Sequence, residues 1–121
     1  MRAQDLESVL EKLAPSTLAE PGDNVGLLVG SRDAAIERLL VALEVTTAVV
    51  AEAQRRDCQA ILTHHPLLYT PLRSLVWSRP REQLVMQLVS GGTVLFSYHT
   101  NLDAAPGGLA DVAAAGLGLK D

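Results

Sequence analysis

Residues 36–63, IERLLVALEVTTAVVAEAQRRDCQAILT, are the stretch on which the fold depends. From Ile36 to Leu43 apolar residues stand mostly side by side, as in a strand covered on both faces within a parallel sheet. Glu44 ends that run. Thr46 can cap a helix over 47–56, with Ala48, Val49, Ala51 and Ala53 on its apolar side and Arg55 and Arg56 in the last turn, where cations suit the helix dipole. The short apolar run Ala60–Thr63 follows directly and reads as a second strand. Strand, helix, strand at this spacing is a right-handed crossover unit.

The pattern extends in both directions. Leu6, Val9, Leu10 and Leu13 stand at offsets of zero, three, four and seven, one face of an amphipathic helix that Pro15 stops. Pro21-Gly22-Asp23-Asn24 is a turn cluster, and Gly26–Gly30 is a strand or an extended loop. Downstream, Pro80 opens a helix with Leu84, Val85, Leu88 and Val89 along one side, and Gly91-Gly92 lies past its end. Thr93–Tyr98 is a further strand, and a final helix over 109–115 stops at Gly116. The expected fold class is therefore α/β, a layered domain with a largely parallel sheet flanked by helices. The competing arrangement has one strand reversed. At 121 residues the chain is expected to form one domain, large enough for a core without staples.

Composition excludes several classes. The chain is 48% hydrophobic and 20% charged, with a net charge of −4 and a single cysteine, Cys58. An internal disulfide is impossible, and neither a signal peptide nor an apolar run long enough for a membrane helix is present, so a cytoplasmic address without membrane insertion is expected. Ten scattered cations and four aromatic residues argue against nucleic-acid binding. Cys58 reads as a structural thiol, the glycines at 26 and 30 lack a nucleotide-binding context, and Arg73, Arg79 and Arg81 read as a solvated face rather than a phosphate clamp. Trp77 and Tyr69 read as loop anchors or subunit contacts.

All three histidines fall just past the carboxyl ends of expected strands, His64 and His65 after the second and His99 after the last. Glu44 holds the same position after the first. In open parallel sheets that edge is where ligands bind. Asp103, four residues after His99, is expected on a short loop that folds back over it. Imidazole and carboxylate are ligands for divalent ions such as zinc, iron or manganese, and a lone cysteine excludes a thiolate-based structural zinc site. Pro66 favours an extended His65, and successive extended residues point in opposite directions, so His64 and His65 are expected to serve two ions, or one ion and its surroundings. His99 is the first choice for proton transfer, the usual work of a catalytic histidine.

Three segments together, Asp23-Asn24-Val25-Gly26-Leu27-Leu28-Val29-Gly30, Thr63-His64-His65-Pro66-Leu67 and His99-Thr100-Asn101-Leu102-Asp103-Ala104-Ala105-Pro106-Gly107-Gly108, resemble the NIF-three-like (NGG-interacting-factor-like) family, also labelled GTP cyclohydrolase 1 type 2 homologues. The resemblance runs through essentially the whole chain. It implies His64, His65 and Asp103 as metal ligands, with His99 as a further ligand, a supporting residue or a proton carrier. It also implies a centre of up to two divalent ions and a homohexameric ring. The chain departs from the family in having Gly22 where a tryptophan is usual and Glu44 where an aspartate is common. It also lacks the late His-x-x-x-Glu that closes the family's metal site, so residues 1–121 are expected to be the N-terminal half of a longer member. The expected function is that of a divalent-metal-dependent hydrolase with a dinuclear-type centre, acting on a small-molecule or phosphorylated substrate. The alternative is a non-catalytic, metal-bound oligomer that binds protein partners.

Overall fold

The computed structural model describes residues 1–119. Four strands, β1 (Gly26–Val29), β2 (Leu39–Ala42), β3 (Ala60–Thr63) and β4 (Val94–Ser97), form one sheet in the order β1-β4-β3-β2. Strands β2, β3 and β4 are parallel in an unbroken register, from Leu39 opposite Ala60 opposite Val94 to Ala42 opposite Thr63 opposite Ser97. Strand β1 runs antiparallel to β4. The largely parallel sheet and the single reversed strand thus coexist. Parallel neighbours require a crossover. Helices α2 (Thr47–Arg55) and α3 (Pro80–Ser90) supply two of them, whereas no helix joins β1 to β2.

Helix α1 (Ala3–Leu13) covers one face of the sheet, and α2 and α3 cover the other. Every residue of β4 is buried, with Val94 and Phe96 packed on the α1 side and Leu95 on the α2–α3 side. Period-two alternation puts one strand's side chains into both cores. Strand β2 is shorter than the apolar run that predicts it. Ile36 is buried outside the strand, and its backbone exchanges bonds with Met1 instead, donating to Met1 O at 2.8 Å and accepting from the terminal amine at 3.1 Å.

Thr46 caps α2 as expected, its hydroxyl accepting from Val49 N at 3.2 Å. The buried side of α2 is Val50 and Ala53, however, with Ala48 and Ala51 facing out. Only part of the α1 stripe is covered. Leu6 is buried, while Val9 and Leu13 are exposed and, with Val41 on the open edge of β2, leave an apolar surface at that end of the sheet. Helix α4 (Thr100–Ala104) occupies the segment expected to be a loop, and α5 (Leu109–Gly116) follows. Among the described residues no helix is long and apolar enough to cross a membrane.

Tyr98 follows β4 and is buried beneath α1, with no hydrogen-bond partner for its hydroxyl among the described residues. Burial first, then the charges of Glu11 and Glu7, push its pKa up to about 12. A raised tyrosine pKa favours the neutral group, so this contribution to stability is complete below pH 10 and is lost as pH rises toward 12. Tyr98→Phe removes an unpaired polar atom and is expected to leave stability unchanged or raise it by about 1 kcal/mol. It also removes that part of the alkaline loss. Thermal unfolding of both proteins at neutral and alkaline pH measures this, and a marked fall in Tm at neutral pH contradicts it.

Candidate metal centre

The carboxyl ends of β2, β3 and β4 deliver Glu44, His64–His65 and His99 to one rim of the sheet. Buried polar residues in the strands hold the histidine-bearing segments in place. Thr63 Oγ1 donates to His65 O at 3.0 Å, Ser97 Oγ donates to His64 O at 3.0 Å, and Tyr98 N donates to Thr63 O at 2.9 Å. Asn101, fully buried, accepts from His99 N at 2.9 Å and donates to Ala14 O at 2.8 Å, tying this rim to the end of α1. Such groups are tolerated in a core because each is paired.

His64, His65 and His99 each offer one ring nitrogen to a group whose members all lie within 4.8 Å of one another. The expectation that His64 and His65 diverge does not hold. Both backbone N–H groups donate to Leu43 O, at 3.1 and 2.8 Å, so the chain bends after Thr63 and strand alternation ends there. The rings stand with centroids 5.3 Å apart and tilted by 41°. His99 completes the cluster at 5.1 Å from His64 and 5.8 Å from His65.

Hydrogen bonds behind the rings set which nitrogens are free. His64 Nδ1 lies 3.0 Å from Tyr98 O. A carbonyl only accepts, so Nδ1 carries the hydrogen and Nε2 presents its lone pair. His99 Nδ1 faces both carboxylate oxygens of Asp23, at 3.0 and 3.1 Å, which likewise leaves Nε2 open. A carboxylate or carbonyl behind each imidazole is the usual support for a metal-binding histidine.

Asp23 is the residue that sequence reasoning missed. Its side chain is 2% exposed. Burial pushes its pKa up, but bonds from the Thr100 hydroxyl, the His99 ring, Thr100 N and Asn24 N outweigh that effect and lower it to about 2. Asp23 and His99 are 76 positions apart, and the only signal in the sequence was an acidic residue opening one of the family-like segments.

Asp103 lies on α4 rather than on a loop, and reaches the same rim. Its Oδ1 is buried without a hydrogen-bond partner among the described residues and stands 3.5 Å from His64 Nε2. Glu44 Oε2 is 4.0 Å from His65 Nδ1, both side chains being largely exposed. The donor set fits a divalent ion: three imidazoles with two fixed orientations, and a buried carboxylate oxygen lacking a partner beside them. Nitrogen and oxygen donors of this kind suit zinc, iron or manganese.

The profile of the Duf34/NIF3 (NGG1p interacting factor 3) family matches residues 1–121. The chain belongs to that family. A GTP cyclohydrolase 1 type 2 homolog of Clostridium acetobutylicum is 34% identical over 98% of the chain and 44% of its own length, and one from Clostridium perfringens is 37% identical over 99% and 46%. Among solved structures, a Bacillus cereus protein related to NIF3 superposes with a TM-score of 0.94 at 31% identity, covering all of this chain and 34% of that one. Reduced HcgD from Methanocaldococcus jannaschii gives 0.92 at 34% identity, with 48% of its chain covered. The chain thus spans between about a third and a half of the length of these relatives.

Proposed function

We propose that this chain is a metal-binding α/β domain, the N-terminal half of a longer NIF3-family hydrolase, in which His64, His65, His99 and Asp103 hold one or two divalent ions. The observation that carries this reading is the convergence of three imidazole donors within 4.8 Å. A bound divalent ion supplies a water acidified toward neutrality and a positive charge that stabilises a developing oxyanion. His64, locked by Tyr98 O, and His99, locked by Asp23, present lone pairs without having to reorient. Asp103 adds negative charge that offsets the cation. The relatives' label suggests a ring-opening hydrolysis of a nucleotide, and a phosphorylated small molecule is the substrate class we assign. Assembly into a homo-oligomer, a hexamer by family resemblance, would cover the exposed apolar edge around Val41.

His99 has the geometry for either of two roles, because a lone pair on Nε2 serves a metal ligand and a proton acceptor alike. Metal content and turnover of His99→Ala separate them. Loss of metal identifies a ligand, whereas retained metal with turnover lowered about 100-fold or more identifies the proton carrier. The function is tested by assaying the zinc-, iron- and manganese-loaded protein against GTP and a panel of phosphate esters. Turnover that disappears on chelation is expected. Full metal occupancy without turnover of any of these would instead favour the protein-interaction role that the family's name describes.

A further inference from the structure

Thr100 opens α4 and follows His99 in the chain, yet its hydroxyl is linked to the His99 ring by way of Asp23. Glu20 N lies 2.9 Å from Thr100 Oγ1. An amide N–H only donates, so the hydroxyl oxygen accepts there. Its other partner is Asp23 Oδ2, and a carboxylate only accepts, so the one hydroxyl hydrogen goes to Asp23. The direction of both bonds is set by their partners.

From this chain of bonds we infer that Thr100 is a positioning residue for His99: its hydroxyl holds the Asp23 carboxylate with both oxygens toward His99 Nδ1, and so keeps Nε2 the free nitrogen. The inference rests on the metal-site reading above and adds a residue that acts on the site at one remove.

The carboxylate has two backbone donors, Asn24 N on Oδ1 at 2.8 Å and Thr100 N on Oδ2 at 3.1 Å. Among the described residues, the Thr100 hydroxyl and the His99 ring are the side chains that bond to it. The hydroxyl also reaches Glu20, ahead of Asp23 in the chain, so it joins the turn that carries the carboxylate to the helix that follows the imidazole, across 80 positions. Branching at Cβ restricts rotation about χ1, which suits a group that has to hold two bonds in fixed directions. Valine has nearly the same shape but neither accepts from Glu20 N nor donates to Asp23. Serine keeps both bonds.

The test compares Thr100→Val and Thr100→Ser with the unmodified protein. The first readout is the exchange with water of the His99 Nδ1–H, followed by NMR of metal-free protein labelled with nitrogen-15 histidine, at about pH 8 where an imidazole is neutral. Exchange is expected to speed up about tenfold in Thr100→Val and to stay within twofold in Thr100→Ser. Zinc affinity, titrated calorimetrically, is expected to fall about tenfold in Thr100→Val and to be restored in Thr100→Ser. Thr100→Val added to Asp23→Asn should lower it less than twofold further, because the hydroxyl acts through that carboxylate. Unchanged Nδ1–H exchange in folded Thr100→Val would overturn the inference, even with a lower Tm, since the hydroxyl would then be structural alone. So would a full tenfold loss on top of Asp23→Asn. Should Thr100→Val not fold, Thr100→Ala takes its place. Failure of the unmodified protein to bind zinc counts against the metal-site reading instead, and the exchange measurement, which needs no metal, still decides Thr100. Faster exchange without a change in zinc affinity supports the positioning of His99 and makes that ring the proton carrier rather than a ligand.

Discussion

Asp23→Asn is expected to lower zinc affinity tenfold to about 100-fold, the usual effect of removing the group behind a metal-binding imidazole. Every contact the Asp23 carboxylate makes is with a donor: the His99 ring, the Thr100 hydroxyl, Thr100 N and Asn24 N. An amide is neutral, and its NH2 half faces donors with another donor. His99 then loses the charge that fixes its tautomer. Asp23→Ala leaves the same donors unpaired in a buried place and is expected to cost about 3 kcal/mol of stability as well. Calorimetric zinc titration and thermal unfolding measure the two effects. Unchanged zinc affinity in Asp23→Asn, with the fold intact, would contradict His99 as a metal ligand and leave it the proton carrier.

Gly108→Ala is the other large effect. A Cβ there would lie 2.0 Å from Leu102 O and 2.6 Å from Ala105 O, both backbone atoms of the turn that closes α4. Neither can give way by rotating a side chain, so α4 must shift, and α4 follows directly on His99 and carries Asp103. A loss of about 3 kcal/mol is expected from such overpacking, together with weakened metal binding. That corresponds to a fall in Tm of about 10 °C in a domain of this size. Gly116→Ala is the control. It stands in α5 with nothing within 4 Å of its Cβ, and an alanine is expected to stabilise the helix by up to about 1 kcal/mol. Equal melting temperatures for the two variants would contradict the steric account.

The elements that show their periodicity over several turns were legible in the sequence. Helices α1, α2 and α3 and strands β3 and β4 stand where apolar spacing, Thr46, Pro80 and Gly91 put them. The placement of the histidines at the strand ends was legible for the same reason, because a parallel sheet has only one edge at which its strands' carboxyl ends meet. What was hidden depended on contacts distant in the chain or too short to have a period. Helix α4 has five residues, fewer than two turns. Ile36 looked like strand but pairs with Met1, a partner 35 positions away. Local spacing does not set Val50 apart from its apolar neighbours in α2, although the face it shares with Ala53 is the buried one. The mutual approach of His64 and His65 follows from one carbonyl, Leu43 O, accepting both of their amides, and no local propensity encodes that bend.

The most direct measurement is the metal content of the purified protein after zinc loading and desalting, by mass spectrometry, beside His64→Ala, His65→Ala, His99→Ala and Asp103→Ala with folding checked by circular dichroism. At least one zinc per chain in the unmodified protein, lost from folded His64→Ala and His65→Ala and reduced in Asp103→Ala, is the expected result. Absence of zinc from the unmodified protein, or full retention in folded His64→Ala and His65→Ala, would contradict the metal centre at this rim.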